Sequence, residues 1–285
     1  MNDVLEQSYA YCRRLTRQRA RNFYYSFVLL DRPERDAICA IYAFMRKCDD
    51  LSDEPGADRA GARARMEQWR SDLDSALSGV FRDHDGWPAF HDAVQRYRIP
   101  RRYFHEMIDG VASDLEPRQF RTFDELYRYC YQVASVVGLS VVHIFGFESP
   151  EAPALAEKCG IAFQLTNILR DVREDAERGR IYFPLEDLDR FSVDPRDLAA
   201  GRKSSALVEL MQYEAARAKE YYAQSMPLVG LVRPRNQAAL WALIQIYRRL
   251  LDRIERSDFD VLRGRISLPA WEKLWVAARA SLRGR

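Results

Sequence analysis

The sequence predicts an all-α fold, and three observations carry that expectation. Apolar residues recur at helix spacing, as in Ile38, Ile41, Phe44 and Met45, or Ile161, Leu165, Ile168 and Leu169. No segment of useful length alternates with the period of two that a half-buried strand requires. Proline, glycine and capping residues fall where a series of helices would start and stop. No linker-like stretch or internal repeat divides the chain, so residues 1–285 read as a single domain. That length is close to the upper limit for one hydrophobic core and is enough to enclose a sizeable cavity.

The elements follow in order. Asp31 before Pro33-Glu34 is a helix start, and its pattern runs to Leu51. Pro55-Gly56 interrupts the chain before a second run over about 57–78. Gly86-Trp87-Pro88 and Ile99-Pro100 punctuate two shorter helices. Thr122-Phe123-Asp124-Glu125 is a capping box that opens a helix expected to reach Gly146. Ser149-Pro150-Glu151 opens the next, which continues through Asp175. Two longer helices are expected over about 205–226 and 234–257, and a last one from about 268. The exception is the loop Arg178-Gly179-Arg180-Ile181-Tyr182-Phe183-Pro184, where two arginines flank a glycine. They could close over a phosphate, and a cationic helix end with a glycine cap explains them nearly as well.

Two acidic clusters sit inside these apolar helix patterns: Asp49-Asp50-Leu51-Ser52-Asp53, and Asn167-Ile168-Leu169-Arg170-Asp171-Val172-Arg173-Glu174-Asp175. Asp49/Asp53 and Asp171/Asp175 are each four apart, so both carboxylates of a pair leave one helix face a turn apart. Like charges so placed repel, and apolar neighbours raise the cost unless a cation intervenes. Oxygen-only donors in this arrangement suit Mg²⁺, which takes one or two carboxylates and completes its shell with water and phosphate oxygens. Arg46 and Asn167 each lie near one turn before an aspartate, and Arg170 is adjacent to Asp171. A Mg²⁺–diphosphate site between two helices is the resulting expectation.

Composition narrows the function classes. With 44 basic and 42 acidic residues the net charge is +2, and no basic tract or charge asymmetry suggests a nucleic-acid partner. The five cysteines (Cys12, Cys39, Cys48, Cys130, Cys159) lack metal-ligand spacing and read as reduced core residues. The four histidines form no cluster. Met1–Gln7 carry no signal-peptide pattern, and the longest apolar stretch, 133–147, falls short of the roughly 20 residues needed to span a bilayer. A cytoplasmic location, peripheral at the membrane surface, is therefore expected. No GxGxxG follows a strand, so no Rossmann nucleotide site is present.

With these motifs in hand, the chain resembles the head-to-head trans-isoprenyl diphosphate synthases, the squalene/phytoene synthase family. The resemblance covers about 23–268. Tyr42-Ala43-Phe44-Met45-Arg46-Lys47-Cys48-Asp49-Asp50-Leu51-Ser52-Asp53 is similar to the family's first aspartate-rich region, and the stretch from Tyr129 to Gly138 to its central helix. Gln164-Leu165-Thr166-Asn167-Ile168-Leu169-Arg170-Asp171 through Asp175 is similar to the second aspartate-rich region, and Tyr247 through Glu255 to a late helix. Met45 and Cys48 stand at positions the family varies. The resemblance implies an isoprenoid-synthase helical bundle around a central hydrophobic cavity. It implies that Asp49, Asp53, Asn167, Asp171 and Asp175 would hold Mg²⁺ against two diphosphates, with Arg46, Arg170 and Arg21 on phosphate oxygens. Tyr42, Phe23, Phe27, Val137, Gly138 and Gln164 would line the prenyl channels, and Tyr129 and Tyr247 would lie near the reacting carbons.

The activity so implied is condensation of two farnesyl diphosphates to presqualene diphosphate, with squalene as the further product, in the manner of the bacterial hopanoid-pathway enzymes. NADPH enters only if that reductive step occurs. The alternative within the family is a phytoene synthase that takes geranylgeranyl diphosphate. From another class, a non-catalytic helical assembly factor remains, although such a relative should have lost its carboxylates. Downstream isoprenoid enzymes are the expected protein partners. Gly138 carries two readings of equal weight, room for a polyprenyl tail or a close helix–helix contact.

Overall fold

The computed structural model describes residues 2–20, 23–52, 59–82, 84–116 and 118–283. Its regular elements, in chain order, are α1 (Asn2–Arg19), α2 (Tyr24–Phe27), α3 (Arg32–Ser52), α4 (Arg59–Leu77), α5 (Trp87–Arg96) and α6 (Arg102–Ser113). Then come α7 (Phe123–Cys130), a π-helical turn (Tyr131–Ser135), α8 (Val136–Phe145), α9 (Ala152–Glu177), α10 (Leu185–Arg190) and α11 (Pro195–Ala199). The chain ends with α12 (Ser205–Ser225), α13 (Leu228–Leu231), α14 (Pro234–Arg256) and α15 (Ala270–Arg283). Among the described residues the only strand-like contact is an isolated antiparallel bridge between Phe147 and Val232. The expected helices form within a few residues of their sequence signals. α1 is an addition, held on α3 by the Thr16 hydroxyl donating to the Cys39 carbonyl at 3.4 Å and on α5 by the Tyr9 hydroxyl donating to Asp92 at 2.6 Å.

Two long helices organise the rest. α3 packs on α1, α4, α5, α6 and α8, while α9 packs on α7, α8, α12 and α14. Behind α3, Phe44 meets Phe90 at 4.9 Å and Trp69 stacks on Trp87 at 4.3 Å, and these rings fix the back of that wall. Behind α9, the Thr166 hydroxyl lies 2.8 Å from that of Tyr222 on α12, a buried polar pair that fixes the register of the two helices.

The helix expected to run unbroken from Thr122 to Gly146 is instead α7, a π-turn and α8. Its start is as expected, with the Thr122 hydroxyl accepting from the Glu125 amide at 3.4 Å. The π-turn is wider than an α-turn, and the neighbouring helices give it room with glycines. A Cβ at Gly160 on α9 would lie 2.4 Å from Ser135 Cα, and one at Gly110 on α6 would lie 2.7 Å from Gln132 Cβ. The Ser135 hydroxyl also donates to the Glu157 carbonyl at 2.8 Å, tying the turn to α9. α8 then stops at Gly146, whose φ of +71° is a conformation that favours glycine. The Gly146 carbonyl accepts from the Arg233 amide at 2.9 Å, which secures this end against the start of α14.

Because the Gly160 contact is with backbone, no side-chain rotation relieves it. Gly160→Ala is predicted to destabilise the fold by about 1–3 kcal/mol through overpacking. A chemical-denaturation curve against wild type checks this; an unchanged midpoint would contradict the clamp.

Candidate active site

α3 and α9 each turn one face to a common cavity of about 370 Å³, within the roughly 300–1,000 Å³ usual for ligand pockets. Along α3 the lining passes from Ile38, Ile41 and Tyr42 to Met45, Arg46 and Asp49. Along α9 it passes from Ala156, Cys159 and Phe163 to Gln164, Asn167, Arg170, Asp171 and Asp175. Both helices therefore run from an apolar interior to a charged mouth. Met107 and Val111 of α6, Val133 and Ala134 of the π-turn, and Val137 and Gly138 of α8 close the space between them. Phe23 and Phe27 enter from α2 with their rings stacked 6.4 Å apart, and Leu240 and Leu243 enter from α14.

Of the residues singled out by sequence, Phe23, Phe27, Tyr42, Arg46, Asp49, Tyr129, Val137, Gly138, Gln164, Asn167, Arg170, Asp171 and Asp175 all line this cavity. Tyr247 is not part of the lining. It stands one layer back, stacked on Phe163 at 4.3 Å and tilted against Phe23 at 5.3 Å. Arg21 and Asp53 lie outside the described residues. Both readings of Gly138 have a counterpart: it lines the cavity, and a Cβ there would lie 3.2 Å from the Ala156 carbonyl oxygen of α9.

The charges at the mouth are already organised. Arg46 pairs with Asp50 one turn on. Arg170, nearly buried, holds Asp171 through Nε to Oδ1 at 2.7 Å and through a second, Nη2 contact. Arg265, from the loop between α14 and α15, reaches the same carboxylate at 3.1 Å. Nothing in the sequence pairs residues 94 apart, so Arg265 had no local signal. The loop after α9 opens on the expected glycine cap. The Gly179 amide donates to Ala176 at 2.9 Å and the Arg180 amide to Asp175 at 2.8 Å, a Schellman cap with Gly179 at φ +72°. That cap turns the chain back, and Arg178 and Arg180 take places in the lining beside Asp175.

A second feature was not foreseen. The Tyr129 hydroxyl donates to Asp114 Oδ2 at 2.8 Å, and the Tyr182 hydroxyl donates to Oδ1 at 3.2 Å. The two rings stack at 5.2 Å. Burial, then the Asp114 charge, holds the Tyr129 hydroxyl well above its ordinary pKa, so it stays a neutral donor. The sequence signal was present but weak: Met107, Val111 and Asp114 fall at helical spacing, one face of α6 and its cap.

The donors at the mouth fit a divalent cation. All are oxygens, as a hard ion requires. Asn167 Oδ1 is buried with no hydrogen-bond partner, while its amide nitrogen donates to Gln164 at 3.3 Å. Burial, reinforced by Asp171, pushes the Asp175 carboxyl up to about 7, and Arg180 and Arg178 only partly offset this. A buried carboxyl raised in this way gains from a cation placed beside it. Among the described residues no three His, Cys, Asp or Glu side chains stand together closely enough to enclose a metal on their own. The fit is thus to an ion that takes part of its shell from substrate oxygens and water.

The squalene/phytoene synthase family profile matches residues 16–272. The chain belongs to this family. It is 36% identical to the phytoene synthase of Arthrospira platensis, over 98% of this chain and 94% of that protein. It is also 36% identical to the 15-cis-phytoene synthase of Synechococcus elongatus, with the same coverage of both chains. Among solved structures, a dehydrosqualene synthase in complex with a ligand superposes with a TM-score of 0.89 at 28% identity, covering 98% of this chain and 97% of that one. Squalene synthase HpnC from Alicyclobacillus acidocaldarius superposes with a TM-score of 0.81 at 28% identity, covering 90% and 95%. The fold is the helical isoprenoid-synthase fold, and the protein is a prenyltransferase of the head-to-head condensing family.

The raised Asp175 pKa has a consequence for stability. Its carboxyl holds a proton in the folded chain up to about pH 7 but loses it near 4 when unfolded, so this group lowers stability progressively as pH rises between those values. In metal-free protein, Asp175→Asn is predicted to raise the melting temperature at pH 8, with the gain shrinking as the pH falls toward 5. A gain that does not vary with pH, or no gain, would contradict the assignment.

Proposed function

We propose that the protein is a Mg²⁺-dependent synthase that joins two identical prenyl diphosphates head to head, with geranylgeranyl diphosphate favoured as substrate and phytoene as product. The observation that carries the reaction class is the pair of acidic helix faces, from α3 and α9, at the mouth of one apolar cavity. The twenty-carbon substrate is supported by the relatives named phytoene synthases, at 36% identity over nearly the whole chain. The second reading, expected from the sequence, takes two farnesyl diphosphates to presqualene diphosphate. Similarity to solved dehydrosqualene and squalene synthases supports it, and NADPH would be needed only if the product is reduced to squalene.

In either case the chain divides the labour in the same way. Asp49, Asp53, Asn167, Asp171 and Asp175 are the proposed Mg²⁺ ligands, and a bound ion supplies the positive charge that makes diphosphate a competent leaving group. Arg170, already aligned by Asp171, together with Arg46, Arg178, Arg180 and Arg21, binds the phosphate oxygens. The allylic carbon–oxygen bond breaks with its electron pair leaving on the diphosphate. The carbocation that remains lies among Phe23, Phe27, Phe163 and Tyr42, whose ring faces stabilise it without offering a nucleophile. Burial pushes the Tyr42 hydroxyl up to about 12, so it is not a phenolate that could trap the cation. The double bond of the second chain then forms the new carbon–carbon bond, and loss of a proton closes a cyclopropane ring. On the way to phytoene the second diphosphate then leaves with its electron pair, the ring cation rearranges to the 1–1′ linkage, and loss of a further proton forms the central double bond. Tyr129, held by Asp114 and Tyr182, presents its neutral hydroxyl dipole to the reacting region.

A long hydrocarbon product does not leave readily into water, and among the described residues no helix is long and apolar enough to cross a membrane. Peripheral, reversible membrane association is therefore part of this reading, with downstream isoprenoid enzymes as the acceptors of product.

Product analysis after incubation with Mg²⁺ and each prenyl diphosphate, with and without NADPH, tests the proposal. A forty-carbon product from geranylgeranyl diphosphate is expected, and a thirty-carbon product alone would favour the second reading. Asp171→Asn is predicted to lower diphosphate release by about 10²-fold or more, as loss of an electrostatic contact to a leaving group does, with helical content unchanged. Near-normal release from that variant would overturn the two-wall site.

A further inference from the structure

α15 carries apolar residues on its outer side as well as on the side that packs inward. After Trp271, Leu274, Trp275 and Leu282 follow by three, four and eleven residues, which places all four along one helix face, and all four are exposed, at 67%, 55%, 46% and 73%. The opposite face, with Val276, Ala277 and Ala280, is the one that packs inward. Exposed tryptophans in such a row are unusual, since scattered single apolar residues are the norm on a surface. Beside the row runs a groove of about 180 Å³ between α14 and α15, lined by Arg248, Arg249, Arg253 and Arg256 together with Gln245, Asp252 and Glu272. Arg253 is paired with Glu272 at 3.0 Å. The Arg249 and Arg279 guanidiniums lie 4.6 and 5.3 Å from the Trp275 ring, so two cations accompany the exposed aromatic.

We propose that this face of α15 with its arginine groove is the surface by which the protein lies on a membrane containing anionic phospholipid. The inference rests on the reading that the product is a long hydrocarbon, and it names the surface and the lipid class. The chemistry selects the partner. An interfacial helix buries Trp and Leu among headgroups and acyl chains, and arginines at its rim meet lipid phosphates. A second copy of the chain docking through the same face would bring two arginine-rich rims together, whereas an anionic bilayer supplies both the apolar phase and the opposite charge. The position also serves the reaction. α15 packs on α2, and α2 with its cap places Phe23 and Phe27 in the cavity wall. A bilayer on the outer face of α15 is therefore separated from the hydrocarbon-binding space by α15 itself and one short helix.

Sedimentation with sucrose-loaded vesicles tests this on the full chain, comparing phosphatidylcholine alone with phosphatidylcholine containing phosphatidylglycerol. Wild type is expected to pellet with the anionic vesicles, less so as salt is raised, with a blue shift of tryptophan emission. The triple variant Trp271→Ser, Leu274→Ser, Trp275→Ser is expected to bind about tenfold more weakly or less, with unchanged melting temperature and unchanged diphosphate release in detergent. Arg249→Gln with Arg256→Gln should erase the preference for anionic vesicles. Wild type that pellets with neither vesicle would overturn the membrane reading and this inference together. Equal pelleting of wild type and the triple variant would overturn only the assignment to α15. A dimer in sedimentation velocity that the triple variant dissociates would make the face a contact between copies, and would overturn it too. Loss of diphosphate release by wild type in detergent is a separate result, which bears on the proposed reaction and not on this surface.

Discussion

Repulsion among carboxylates at the mouth of an apolar cavity is the constraint to which much of this structure responds. Asp171 and Asp175 stand one turn apart on α9, both lining the cavity, and Asp49 lines it from α3. Carboxylates so close to apolar surface are costly without compensation. The chain supplies part of it: Arg170 and Arg265 hold Asp171, and Arg46 holds Asp50. Part of the cost persists as the raised Asp175 carboxyl, which Arg180 and Arg178 offset only in part, and Asn167 Oδ1 is left without a hydrogen-bond partner. A buried, partly compensated carboxyl gains from a cation placed beside it. Stability is given up locally for binding, a pattern expected of functional sites.

The cavity below the mouth sets the second condition. A carbocation survives only where water and nucleophiles are excluded and ring faces are close. The long α3 and α9 form the walls, but packed side by side alone they would leave little room. The π-turn between α7 and α8, clamped by Gly110 and Gly160, places Val133 and Ala134 in the lining at the point where a regular helix was expected. Its width is accommodated by glycines on both neighbours, so the turn and the glycines form one device. The Asp114–Tyr129–Tyr182 group joins that region to the loop following α9. One hydrogen-bond group thus ties α6, α7 and the loop after α9 together at the cavity.

The sequence was legible where information is local. Helix starts such as Thr122, stops such as Gly146, and the four-residue spacing of aspartates are written in neighbouring residues, and the structure places Asp49, Asp171 and Asp175 around one cavity. It was less legible where structure depends on contacts across the chain. The π-turn has no composition of its own, and its cause lies in glycines on two other helices. Arg265 reaches Asp171 from 94 residues away. Asp114 ends an ordinary apolar helix, and only the arrival of Tyr129 and Tyr182 gives it a role. For α15 the sequence signals only a helix from about 268, and which of its sides is left uncovered depends on how α14 and α2 pack against it.

The central claim is that the two acidic helix faces and the apolar cavity act together on one pair of prenyl diphosphates. A crystal structure with Mg²⁺ and a non-hydrolysable thiodiphosphate analogue of geranylgeranyl diphosphate tests it most directly. The account predicts metal density bridging the diphosphates to Asp49 on one side and to Asn167, Asp171 and Asp175 on the other, with the prenyl tails between Phe23, Phe27 and Leu243. Diphosphate bound away from these carboxylates, or tails outside the cavity, would contradict it.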